Sequence, residues 1–222
     1  MLDGLLLINK PKGWRAFDVI RYVRKIKYIQ KIGHSGSLDP IAQGVMIICM
    51  GAYTKYVEKI MQLEKEYVVK IVLGERRDTD DIEGKILKKN NPPKEIDYKV
   101  LDKFKGKIIQ NPPFYSAIKW KGKPLYKYAR KGESVEIKKK EVEIYEIKPI
   151  YYKPPHLWLK VVCGRGTYIR ALARDLGEEL GCGGCVGELV RKRIGKFTIK
   201  DAIRIEKIKT WEELKRNVKK WK

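Results

Sequence analysis

Apolar residues along this chain fall into two alternating patterns: short continuous runs and stripes at helical spacing. Residues 5–8 (Leu-Leu-Leu-Ile) form a continuous run closed by Asn9-Lys-Pro-Lys-Gly13, which predicts a short buried strand. Val19, Ile20, Val23 and Ile26 recur at helical spacing and predict a helix over 16–29. A second apolar run, 44–50, predicts another buried strand. Val57, Ile60 and Met61 mark the inner face of a helix over 53–63, and 66–73 alternates as a strand does.

Punctuation organises the rest. Gly74 to Gly84 is a polar loop whose acidic residues fail the EF-hand pattern, because Ile82 and Lys89 stand where ligands belong. Asn90-Asn91-Pro92-Pro93 reads as a linker, followed by a short helix over 95–104. Asn111-Pro112-Pro113 precedes a predicted strand, 114–120, then a short helix over 125–131. Strands follow over 141–152 and 157–163, separated by Pro154-Pro155. Gly164-Arg165-Gly166-Thr167 ends the last of these, with Thr167 as the expected N-cap of a helix carrying Ile169, Leu172, Ala173, Leu176 and Leu180. Arg170 then opposes the helix dipole, which calls for an anion nearby. Residues 186–198 predict one or two strands, and 211–221 a terminal amphipathic helix.

This order has no strand–helix–strand rhythm, so a doubly wound parallel sheet is not expected. The expected class is α+β: a mixed, mostly antiparallel sheet with flanking helices. Residues 1–198 read as one domain, and 199–222 as a short basic helical tail, too short for a separate domain.

Charge changes the picture. Fifty Lys and Arg against 27 Asp and Glu give a net charge of +23. The excess is clustered over 10–31, over 119–140 and from Arg191 onward. In the middle cluster Lys119, Lys121, Lys123, Lys127, Arg130 and Lys131 alternate with Trp120, Tyr126 and Tyr128. Cations meet phosphates and rings stack on unpaired bases, so nucleic acid, RNA above all, is the expected partner. The run at 5–8 is too short for a signal peptide or a membrane span, so a cytoplasmic protein without a membrane partner is expected. Cys49 and Cys163 read as core residues. Cys182-Gly-Gly-Cys185 has half of a zinc site's spacing and no second pair, so no metal is expected.

The candidate chemistry centres on Gly33-His34-Ser35-Gly36-Ser37-Leu38-Asp39-Pro40. Pro40 disfavours helix at Asp39 and holds the carboxylate in a turn or extended geometry, while small neighbours leave room for a bulky polymer. An acid that attacks or accepts a proton must be ionised and aimed, and a guanidinium such as that of Arg170 does both. Taken singly, an Asp before Pro is a common turn and Arg170 an ordinary surface arginine.

Together these residues resemble the TruB family of RNA pseudouridine synthases. The resemblance runs in order from residue 3 to 198. It is carried by Gly33 to Asp39 with Gly44 and Gly51-Ala-Tyr-Thr-Lys55, and by Glu66-Tyr67-Val68 with Leu73-Gly74 to Asp80. It continues through Pro113-Phe-Tyr-Ser116-Ala117 to Arg130, Cys163-Gly-x-Gly-Thr167-Tyr168-Ile169-Arg170, and Leu189 with Arg191. It implies Asp39 as the catalytic aspartate and His34 as a wedge into the RNA loop. Tyr67 would stack on the target base, Tyr168 line the pocket, Arg170 pair with Asp39 and Leu189 pack the pocket floor. Lys55 matches a basic position near the site. The implied reaction isomerises uridine to pseudouridine, with no cofactor or metal. The expected substrate is tRNA, at position 55 of the T-loop (T-arm), and the protein is expected to act as a stand-alone, bacterial-type monomer without an obligatory protein partner. A guide-RNA-dependent subunit and a noncatalytic tRNA-folding protein are the alternatives. Two departures stand out: only a short tail where the family carries a C-terminal RNA-binding domain, and no Ser or Thr to cap the helix after Gly13-Trp14-Arg15.

Overall fold

The structure, a computed structural model, describes residues 2–221. β1 (Gly4–Lys10) buries its apolar run almost completely. α1 (Ala16–Ile26) turns Ala16, Val19, Ile20 and Val23 inward and ends before 29, because Lys27 is extended. Arg15 supplies no side-chain cap, as the sequence predicts, but Asp18 compensates: its carboxylate accepts from the Arg15 N–H at 2.8 Å. That bond, more than the Arg21 charge, holds the Asp18 carboxyl below its usual pKa. β2 (Ile32–His34) and β3 (Ala42–Met50) follow. The helix expected over 53–63 is split into a 3-10 turn, Gly51–Tyr56, and α2 (Val57–Gln62). Gly51 is left-handed and the Thr54 hydroxyl donates back to its carbonyl, which tightens that first turn.

β4 (Lys65–Leu73) alternates buried and half-buried residues along its whole length. β5 (Glu75–Arg77) begins inside the expected polar loop and pairs as a small hairpin with β6 (Ile86–Lys89), which lies just beyond it. A 3-10 helix, Tyr98–Phe104, capped by Asp97, replaces the helix expected over 95–104, and β7 (Gly106–Gln110) follows. The strand expected over 114–120 is mostly absent. Pro112 and Pro113 lack N–H donors, Ser116 N bonds locally to Phe114 O, and only β8 (Lys119–Trp120) pairs, with β9 (Lys123–Pro124). Lys121 and Gly122 both have positive φ and make the tight turn between them. α3 (Leu125–Ala129), β10 (Lys140–Lys153) and β11 (His156–Cys163) lie where the pattern puts them.

α4 (Ile169–Glu179) is capped by the backbone of Tyr168, not by Thr167, whose hydroxyl donates to Gly164 O at 3.1 Å. Gly177 lets β12 (Gly184–Ile194) approach α4: a Cβ there would strike Gly184 N. β13 (Phe197–Thr198) and β14 (Ile203–Arg204) precede α5 (Trp211–Asn217), which stops short of 221 because Val218 turns extended into β15 (Val218–Lys219) and pairs with Leu6.

The chain forms two compact units, Met1–Val68 with Leu189–Lys222, and Val69–Glu188. In the first, β1 lies antiparallel to β3 and β15 and parallel to β14, while β12 runs parallel to β3. Period-two alternation on β1 sends Leu6 and Ile8 to a core with α1, and Leu5 and Leu7 to the opposite core with Ile60 and Ile194. Ile205, Ile208 and Leu214 are fully buried in the α1 core. In the second unit β10 pairs antiparallel with β11 and with β7. The class is thus the expected one, a mixed and mostly antiparallel sheet with flanking helices. Among the described residues no helix is long and apolar enough to cross a membrane.

Candidate active-site residues

The Asp39 loop belongs to the first unit and connects β2 to β3. Its backbone is held at several points. Ser35 N donates to Ile47 O at 3.0 Å, Ala42 N to Asp39 O at 3.0 Å, and Gly13 N to Pro40 O at 2.7 Å. Buried Leu38 and Ile41 anchor the chain on either side of half-buried Asp39. Arg191, 1% exposed, reaches the loop from β12. Its Nε donates to Val45 O at 2.7 Å and its Nη1 to Ser37 O at 3.2 Å, with Nη2 3.5 Å from Gly36 O.

Arg191 stands opposite Gly44 in register, and Gly44 has φ +114°. A Cβ on Gly44 would collide with Arg191 O, so glycine is required for β3 and β12 to meet here.

His34 is half-buried at the end of β2. Burial lowers its imidazole pKa below the ordinary value, the Arg191 cation adds to that, and the Gly36 backbone opposes both. No hydrogen bond of good geometry reaches its buried Nδ1. Tyr67 on β4 and Leu189 on β12 are buried, the latter opposite Ala42 in register. Lys55 is exposed on the 3-10 turn, its Nζ 5.2 Å from the Tyr56 ring centroid.

Tyr168 and Arg170 belong to the second unit. The buried Gln110 amide grips the Tyr168 backbone at both ends, accepting from its N–H at 3.0 Å and donating to its carbonyl at 3.2 Å. Arg170, 5% exposed, donates to Thr79 O at 2.9 Å and Tyr115 O at 3.0 Å, with Asp81 Oδ2 3.7 Å from Nη1. Asp81 is the anion that an arginine in the first turn of α4 calls for. Its Oδ1 is fixed in turn by the Thr79 hydroxyl at 2.7 Å and by Glu83 N at 3.0 Å. One helical turn on, Arg174 pairs with Asp80 and Asp175 and donates to Asn111 O. Burial pushes the Asp80 carboxyl up to about 6, against the pull of Arg174 and Arg170.

Asp80, Asp81, Arg174 and Gln110 carry no role in the sequence reading. The acidic run at 78–81, which the matched motif enters at Asp80, and the anion that Arg170 calls for are its visible signals. Arg191 is read there as part of the last motif and as the start of a basic run, and Lys10 as part of the basic cluster over 10–31. Lys10 is instead fully buried, its Nζ donating to Pro11 O and Trp14 O. Cys182 and Cys185 are buried thiols. Burial raises both pKa values, that of Cys185 to about 12, so both are protonated at neutral pH.

Residues 24–169 match the family model for the N-terminal domain of TruB family pseudouridylate synthase. Residues 170–220 match that for the C-terminal domain of tRNA pseudouridylate synthase B, so most of the expected tail falls inside a family match. A tRNA pseudouridine synthase B from Clostridium tetani is 45% identical over 210 residues, 93% of this chain and 73% of that protein. One from Francisella tularensis subsp. tularensis is 42% identical over 212 residues, 94% and 70% of the two chains. Among solved structures, a Cbf5-Nop10-Gar1 complex aligns with a TM-score of 0.74 at 24% identity over 99% of this chain. An H/ACA RNP bound to a substrate RNA containing 2'-deoxyuridine aligns at 0.69 and 24% over 92%. The chain spans 60% and 52% of those two structures' chains, and the likeness establishes the shared fold.

Proposed function

This chain belongs to the TruB family of pseudouridylate synthases, and we propose that it converts uridine to pseudouridine at position 55 in the T-loop of tRNA, with Asp39 as the catalytic group. The observation that carries the reading is the Asp39 loop: a half-buried carboxylate on a backbone fixed before and after it by hydrogen bonds. Such preorganisation is what a lone acid needs, because reorganising it during the reaction would cost rate.

The chemistry is an isomerisation. The N1–C1′ bond breaks, the freed uracil turns, and a C5–C1′ bond forms. The proton lost from C5 is balanced by one gained at N1. Asp39 acts on the sugar as nucleophile or base. The target uridine must leave its stack to reach the carboxylate. His34, held largely neutral, is the wedge that fills its place, since a neutral ring enters stacked bases without desolvating a charge. Tyr67 stacks on the everted base, Leu189 supports it from below and Tyr168 lines the pocket. Arg170, held by Thr79 O, Tyr115 O and Asp81, is the guanidinium we assign to pair with Asp39. Lys55 supplies a cation near the site.

The 42–45% identical relatives carry tRNA in their names, which supports a stand-alone tRNA enzyme over a guide-RNA subunit. We assign it to the cytoplasm as a monomer. The test is incubation of the purified chain alone with an unmodified tRNA transcript, followed by mass mapping. The reading expects one pseudouridine in the T-loop. No conversion, or conversion only with guide RNA and added proteins, would overturn it.

A further inference from the structure

We propose that Arg191 is a positioning residue for this reaction, its buried guanidinium fixing the backbone of the loop that carries Asp39. The inference rests on the roles given above to Asp39 and His34. It goes beyond them in assigning the loop's geometry to a strand far along the chain.

Arg191 is 1% exposed, so it is no phosphate contact, although it opens the basic run Arg191-Lys192-Arg193. A buried cation is costly unless its donors are satisfied, and an aliphatic residue would pack this strand position more cheaply. The fold keeps the cation and spends its donors on main chain. Nε binds Val45 O inside β3, while Nη1 and Nη2 face Ser37 O and Gly36 O, in the two residues just before Leu38-Asp39. One planar group therefore ties the rigid strand to the loop.

The loop needs such a tie. Gly36 has φ +106° and no side chain, so its peptide has no side-chain anchor of its own. Leu38 anchors the chain only on the far side of Ser37. A guanidinium can hold carbonyls in fixed directions at once, and a lysine ammonium cannot reproduce that fork. The same cation stands near enough to His34 to disfavour its protonated form. Burial does most to disfavour the charged wedge, and the residue that orients the acid adds to that effect.

The experiment compares the wild-type chain with Arg191→Lys and Arg191→Met. Three quantities are measured: single-turnover conversion of a tRNA transcript, tRNA dissociation constants, and the His34 imidazole pKa by NMR. His156, the other of two histidines, serves as internal reference. Both variants are expected to convert uridine on the order of 10²-fold more slowly with tRNA affinity unchanged, as a small misplacement of a reacting group does. Arg191→Met should also raise the His34 pKa, and Arg191→Lys, which keeps the charge, should raise it less. If Arg191→Met does not fold, Arg191→Lys decides alone. Wild-type conversion by folded Arg191→Lys overturns the inference, and so does a rate loss fully matched by lost tRNA binding. An unmoved His34 pKa in folded Arg191→Met overturns it as well. A wild-type chain that converts no uridine would instead remove the functional reading on which the inference rests.

Discussion

Nη1 of Arg174 lies 2.9 Å from Oδ2 of Asp80, and both side chains are nearly withdrawn from solvent. Burial outweighs the attraction of the arginine, so the folded-state pKa of Asp80 rises from 3.8 to about 6. A raised pKa means that the folded state binds the proton more tightly than the unfolded chain does. This group's contribution to stability is therefore fully present below about pH 4 and is lost as pH rises through 6. The difference amounts to at most about 3 kcal/mol. Urea unfolding of wild type and Asp80→Asn at pH 4, 5, 6 and 7 measures it. The wild type should lose stability relative to the variant across that range, and a constant difference would contradict the assignment.

Arg170 and Asp81 form a second coupled pair one turn earlier on α4. Arg170→Met removes a cation next to the buried Asp81 carboxylate and should cost about 3–5 kcal/mol of stability. Asp81→Asn in the same background removes the negative charge and should restore part of that loss. A double-mutant cycle by chemical unfolding should give a coupling above about 0.5 kcal/mol, as contacting charges do. Additive effects would show that the two side chains do not interact.

Gly44 and Gly36 separate strain from collision. Both have positive φ, near +114° and +106°, but only a Cβ on Gly44 meets backbone, at Arg191 O. Gly36→Ala should cost about 1–2 kcal/mol, the price of a left-handed non-glycine residue. Gly44→Ala should cost clearly more, because β3 and β12 must separate to admit the methyl group. Thermal unfolding of the two variants gives the order, and equal losses would contradict it.

The strands were legible because their apolar runs are continuous, as at Leu5 to Ile8, or alternate with period two, as over β4 and β11. The helices α1 and α4 were legible from stripes at helical spacing. Boundaries failed where a side chain bonded its own backbone, as Thr54 and Thr167 do, or where proline removed donors, as before Ser116. Buried cations were the larger failure. Lys10 and Arg191 sit in basic runs that read as RNA-binding surface, yet both end on main-chain carbonyls inside the fold. One-dimensional pattern cannot tell a cation that faces phosphate from one that holds a loop, because both are flanked by other basic residues. The network of Asp80 and Asp81 with Arg174 and Arg170 was hidden for a related reason: its partners lie far apart in sequence and meet only through the turn at 78–84.

The central claim is that one carboxylate, Asp39, performs the chemistry. Asp39→Asn keeps the shape of the loop and removes only the negative charge. Single-turnover conversion of a T-arm stem-loop, measured beside its binding affinity, tests this most directly. Conversion should fall below detection while the variant still binds the RNA; pseudouridine formed by Asp39→Asn at the wild-type rate would contradict the account.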